Sequence, residues 1–167
     1  MSAYTAQDFF NILLTKKRAN DFIRLFDYLE GLSHHVGSFN TEAVLQSVFG
    51  DIKPDWLNEI IKNIPGLMSG EVGESDINML RDVRNMIEKS IVVKIELNFI
   101  PSIEFINNVI KTLKHKYDSM NFILDVDTLE NLESGAMFYI EGNVIDLTVR
   151  KKVTSYLTTQ DVINRYL

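Results

Sequence analysis

The side chains able to do chemistry are few, and their spacing decides what they can do. Asp125 and Asp127, followed by Glu130 and Glu133, begin like a calcium loop, in which alternate carboxylates present oxygen to a hard cation. Such a loop requires glycine at its sixth position and a bidentate carboxylate at its twelfth, and here those positions are Glu130 and Ala136. The segment therefore reads as a strand end and turn, and no metal site is expected. His34 and His35 are potential imidazole ligands, but neighbours on a helix project about 100° apart and no third ligand stands nearby, so they read as a solvated loop pair. His115, between Lys114 and Lys116 near a helix end, suits the terminal carbonyls. With no cysteine there is no thiolate nucleophile, no Cys-based metal site and no disulfide framework. Neither G-x-x-x-x-G-K-[ST] nor G-x-G-x-x-G occurs, so nucleotide phosphates have no cradle. No nucleophile, base and oxyanion donor are assembled, and the expectation is a non-catalytic protein without a cofactor.

Charge and length narrow the classes further. Asp and Glu outnumber Lys and Arg 23 to 17, and the net charge of −6 opposes adhesion to phosphate backbones and anionic lipid, so nucleic acid is not an expected partner. Arg150, Lys151 and Lys152 form a basic triplet that diverges around a helix as a solvated face. The chain of 167 residues is long enough for a real core in one domain or two small ones. The opening MSAYTAQDFFNILL lacks the basic region and cleavage signal of a secretory leader. No window approaches the roughly 18 apolar residues that span a bilayer. These features predict a cytoplasmic protein.

The periodicity predicts two halves. Phe9, Phe10, Leu13 and Leu14 mark a helix over about 6–17, and Phe22, Leu25, Phe26, Leu29 and Leu32 another over about 20–32. Asn40 or Thr41 caps a short helix ended by Gly50, and Pro54 introduces a fourth carrying Trp56, Leu57, Ile60, Ile61 and Ile64, closed by Pro65-Gly66. Ser75 or Asp76 caps a fifth with Ile77, Leu80, Val83, Met86 and Ile87 inward. At Ile91 the pattern turns extended, with Val93, Ile95 and Leu97 on one face, which places a boundary at about Lys89. Pro101-Ser102 opens a helix through Ile103, Ile106, Ile110, Leu113 and Tyr117, and residues 121–126 give a second strand, reached by a right-handed parallel crossover.

Residues 134–157, SGAMFYIEGNVIDLTVRKKVTSYL, carry the densest signals. Ala136, Phe138 and Ile140 alternate as a strand, Gly142-Asn143 supplies a two-residue hairpin loop, and Val144-Ile145 resumes the run. Asp146 or Thr148 caps a helix with Val149, Val153, Tyr156 and Leu157 at helical spacing, and Thr158 or Thr159 caps a last turn through Val162 to Leu167. The fold class expected is α+β: an all-α helical bundle over 1–89 followed by a small β-α-β-β-β-α domain over 90–167.

This stretch resembles the C-terminal signature of the delta subunit of F-type ATP synthases, the oligomycin-sensitivity-conferring protein of mitochondria. That pattern is a glycine pair, a strand, a Gly-Asp or Gly-Asn turn, and a strand ending in Asp-Gly-Ser-Val/Ile-Arg. Gly135, Gly142, Asn143, Val144, Ile145, Asp146, Val149 and Arg150 fit it; Ser134, Leu147 and Thr148 replace two glycines and a serine. The fold-signature positions are Gly135, Gly142, Asp146 and Arg150, which mark a corner of the fold and carry no reactive group. The resemblance covers about residues 80–157 in pattern, and in the helical half it is one of architecture, with five helices read here where the family bundle has six.

The resemblance implies a stator subunit of the peripheral stalk, one copy per hetero-oligomeric complex. Its helical half would receive the N-terminal helices of alpha subunits, beside beta subunits in the catalytic head, and its mixed half would hold the ends of the b subunits, so that proton-driven rotation is coupled to ATP synthesis. It would lie peripherally on the inner face of the bacterial plasma membrane, without inserting. Phe9, Phe10, Ile12, Ile60, Ile61 and Ile64 are the candidates for the alpha-subunit groove. The alternative is an unrelated helical adaptor whose second half shares the element order.

Overall fold

A computed structural model of the chain describes residues 4–33, 39–117, 120–132 and 134–148. The protein is α+β, with helices in its N-terminal part and a four-stranded mixed sheet in its C-terminal part. It forms two compact units, Met1–Ile91 with Ser119–Ile123, and Val92–Asp118 with Leu124–Leu167.

Among the described residues six helices precede the first strand, where five were expected. They are α1 (Ala6–Phe10), α2 (Lys16–Ser33), α3 (Thr41–Phe49), α4 (Leu57–Asn63), α5 (Pro65–Ser69) and α6 (Glu74–Glu88). The extra one arises at Pro65: Ile64 before it is extended, as a residue preceding proline prefers, so α4 stops and Pro65 opens a new turn instead of closing the old one. The expected helix over 6–17 is also cut short. Thr5 and Asp8 form a reciprocal capping box at its start, but after Phe10 the N–H groups of Ile12 and Leu13 bond three residues back, tightening the chain. Thr15 then restarts the helix: its hydroxyl accepts the Arg18 N–H at 3.4 Å and its carbonyl the Ala19 N–H at 2.9 Å, so α2 begins four residues before Asn20. Asn40 caps α3 through Ala43 N–H, as expected, whereas Gly73 stands at the cap of α6, leaving Ser75 and Asp76 in its first turn.

The helical core draws on every one of these helices and includes Phe10, Phe22, Phe26, Ile60, Leu67 and Leu80. Ile123, from the second part of the unit, joins the same core. Along its rim Arg84 of α6 donates to Asp27 of α2 at 2.8 Å and lies over the Phe26 ring, while Arg81 donates to Glu30 at 2.8 Å.

The sheet is built from β1 (Ile91–Leu97), β2 (Phe122–Thr128), β3 (Ala136–Ile140) and β4 (Asn143–Asp146), with α7 (Ile103–Lys116) between β1 and β2. Its spatial order is β2-β1-β3-β4. β1 and β2 run parallel, since Ile91 N–H reaches Asn121 O at one end and Leu129 N–H reaches Leu97 O at the other. β3 pairs antiparallel with β1 and with β4. Ser102 caps α7 by accepting the Phe105 N–H at 3.2 Å. Val93, Ile95 and Leu97 of β1 are buried, as are Ile106, Ile110 and Leu113 of α7. The helix expected after Thr148 lies outside the described residues.

Candidate functional site

The corner at the β3–β4 hairpin holds three of the four signature positions. The hairpin loop is Glu141-Gly142, one residue earlier than the expected Gly142-Asn143, because the register pairs Ile140 with Asn143 and Phe138 with Ile145. That register is pinned from the open end, where Leu147 N–H donates to Ala136 O at 2.9 Å and carries the ladder one step past Asp146. Both loop residues take positive φ, 47° at Glu141 and 82° at Gly142, which suits a tight turn matched to the strand twist.

Gly135 has φ 137°, and a Cβ on it would stand 2.6 Å from the Leu147 carbonyl oxygen and 2.6 Å from Thr148 Cα. The two chain ends that enter and leave the hairpin thus touch backbone to backbone. Asp146 holds the exit, its Oδ1 accepting the Thr148 N–H at 2.9 Å and the Thr148 hydroxyl at 2.7 Å. Leu147, where the family pattern has glycine, keeps negative φ, since Glu141 is the one non-glycine residue with positive φ among those described. Arg150, together with His34, His35 and Glu133, lies outside the described residues.

One face of the sheet is apolar and incompletely covered. Phe138, Ile140, Ile145 and Leu147 of the hairpin and Phe105, Val109 and Leu113 of α7 line a cleft of ≈ 370 Å³. Ile145 and Leu147 are 39% and 48% exposed there, so its wall is half open to solvent. The sequence signal for it was the alternation that continues past the hairpin turn to Leu147, together with the Val109 step beside the main stripe of α7.

The other face carries a charged network. Lys94 Nζ lies 2.8 Å from Glu96 and 3.3 Å from Asp127, and Tyr139, the cross-strand partner of Lys94, donates its hydroxyl to Glu96 at 2.8 Å. The Lys94 ammonium, and after it the Tyr139 hydroxyl, hold the Glu96 carboxyl below the usual range. Conversely, the bond to Glu96 raises Tyr139, and the bonds to Glu96 and then Asp127 raise Lys94. Asp127, the third position of the sequence's calcium-like run, is thereby engaged with a lysine. Among the described residues no three potential ligands converge on a metal position. His115 is exposed in the last turn of α7, between Lys114 and Lys116.

The six candidate groove positions separate into two groups. Phe9, Phe10, Ile60 and Ile64 are each 0% exposed and belong to the helical core, whereas Ile12 and Ile61 are partly buried against its edge. Near them Tyr4 packs its ring 5.2 Å from Phe9 and donates to Glu59 of α4 at 3.1 Å. Only Ile12 and Ile61 of the six retain surface for a partner. Among the described residues no helix is long and apolar enough to cross a membrane. Compared with known proteins, the chain matches no family model and no curated protein significantly.

Proposed function

We propose that the protein is a non-catalytic stator subunit of an F-type ATP synthase, joining the catalytic head to the b-subunit stalk and resisting the rotor's torque. The observation that carries this reading is the hairpin corner. Gly135 and Gly142, the two glycines of the resemblance, occupy backbone positions that other residues fill poorly, and Asp146 caps the chain as it leaves β4. The order β-α-β-β-β over residues 91–146 and the six helices before it agree with the architecture the resemblance implies. The mechanism is binding: the helical unit takes the amphipathic N-terminal helices of alpha subunits, with Ile12 and Ile61 at the contact, and the mixed unit takes the ends of the b subunits.

The test is to tag the protein in its native host, solubilise membranes gently and identify stoichiometric partners by mass spectrometry. Alpha, beta, gamma and b subunits together are the expected result. A folded, abundant protein recovered with other partners overturns the reading and identifies it as an adaptor.

A further inference from the structure

The helical unit carries a cavity of ≈ 730 Å³ lined by the first half of α2, the last turn of α3 and the connection from α3 to α4. Lys17, Asp21 and Arg24 recur along α2 at steps of four and three, so with Arg18 they present one charged helix face to it. Asp55 of the connection is the remaining charged wall residue, and three cations therefore stand against two carboxylates in a chain whose net charge is −6. The cations are only partly neutralised. Arg18 donates to the Ile12 carbonyl at 3.1 Å and to Asp55 at 2.7 Å. Arg24 donates to the Val48 carbonyl at 2.8 Å, a bond that fixes the guanidinium without cancelling its charge, and Asp21 stands 3.9 Å away. The Arg24 side chain is 64% exposed, and the ammonium of the exposed Lys17 has no partner among the described residues.

Apolar side chains complete the lining. Val48, Phe49, Ile52, Pro54 and Trp56 all belong to it, and Ile52 is 85% exposed. Trp56 packs edge to face with Phe49, 6.2 Å between ring centroids. Trp56 itself is buried, and its indole N–H is a donor with no acceptor among the described residues, where buried polar groups are ordinarily paired. A cavity of this volume lies within the range that holds small organic molecules, and exposed cations beside apolar walls suit an anionic head on an apolar body. We propose that the cavity binds a small organic anion, with Arg24 and Lys17 receiving its carboxylate or phosphate oxygens and Ile52 and Trp56 facing its apolar part. The inference rests on this cavity alone and is independent of the stator reading.

Trp56 is the chain's single tryptophan, so its fluorescence reads occupancy of the cavity it lines. The probe is phenyl phosphate, titrated into the full chain beside phenol, which lacks the anion, and inorganic phosphate, which lacks the ring. The expected result is a saturable change in Trp56 emission with phenyl phosphate, and binding about tenfold or more weaker for phenol and for inorganic phosphate. Lys17→Glu, which breaks no side-chain bond among the described residues, and Arg24→Gln should each weaken phenyl phosphate binding about tenfold or more, with far-UV CD and Tm showing that each variant is folded. The absence of a saturable change overturns the proposal, as does binding unmoved by both variants, which means another site. Phenol binding as tightly means a merely apolar surface, and inorganic phosphate binding as tightly means a bare anion site; either result overturns the organic anion as ligand.

Discussion

Gly135 passes so close to Leu147 that a Cβ would lie 2.6 Å from the Leu147 carbonyl oxygen. Its φ of 137° is also one that side-chain-bearing residues rarely adopt. Gly135→Ala should therefore lose about 2–4 kcal/mol of stability in urea unfolding, since clash and strain act together. Gly142→Ala meets open space and carries the φ penalty alone, so about 1 kcal/mol is expected.

Glu141 supplies the opposite case. It holds φ 47° at the first loop position of the hairpin, where asparagine and glycine are at ease. Glu141→Asn creates the Asn-Gly pair and should stabilise the protein by about 0.5–1 kcal/mol, read by calorimetry as a rise in Tm of about 1–4 °C. A fall in Tm would mean that Glu141 has a role the turn geometry does not reveal.

The Lys94, Glu96 and Tyr139 network predicts a pH dependence with a definite sign. Glu96 has a lowered folded-state pKa, so its contribution is present above the ordinary carboxylate pKa and is lost as pH falls through the folded value. Lys94 and Tyr139 have raised values, so theirs are present below their ordinary pKa values and lost as pH rises through the folded ones. Tyr139→Phe should lower the urea midpoint at pH 7 and lose that effect in acid only once pH has fallen below the lowered folded-state pKa of Glu96, where the carboxyl is protonated in both folded and unfolded chains. An effect independent of pH would assign Tyr139 to packing alone.

The candidate groove positions should divide by substitution as they divide by burial. Phe10→Ala removes a fully buried ring and should cost about 3–5 kcal/mol, and Ile60→Ala about 2–5 kcal/mol. Ile12→Ala and Ile61→Ala, at the core's edge, should each cost less than about 2 kcal/mol in thermal or urea unfolding. In the stator reading these two variants, folded and stable, also recover less alpha subunit in the co-purification.

The fold was legible where pattern and chemistry agreed. The switch at Ile91 from helical to alternating spacing marked β1, and Ser102 announced α7, because each signal is local. Pro65 was legible as a stop but not as a start, since the same residue serves both and the choice depends on Ile64 turning extended. The hairpin loop was displaced by one residue because Gly142 fits either loop position, and the decision came from Leu147 pairing with Ala136 at the far end. The groove was least legible: Phe9 and Ile12 lie three apart in one apolar run, and only packing distinguishes the buried ring from the edge.

Ile123 has a consequence for how the protein is made. At 2% exposure it belongs to the helical core, although residues 92–118 separate it from the rest of that unit. A ribosome adding about 5–20 residues per second completes the synthesis of the six helices a few seconds before it adds Ile123. During that interval the helical core lacks the Ile123 side chain. A chain halted near residue 90 would remain in that state, displaying apolar surface that the finished protein hides.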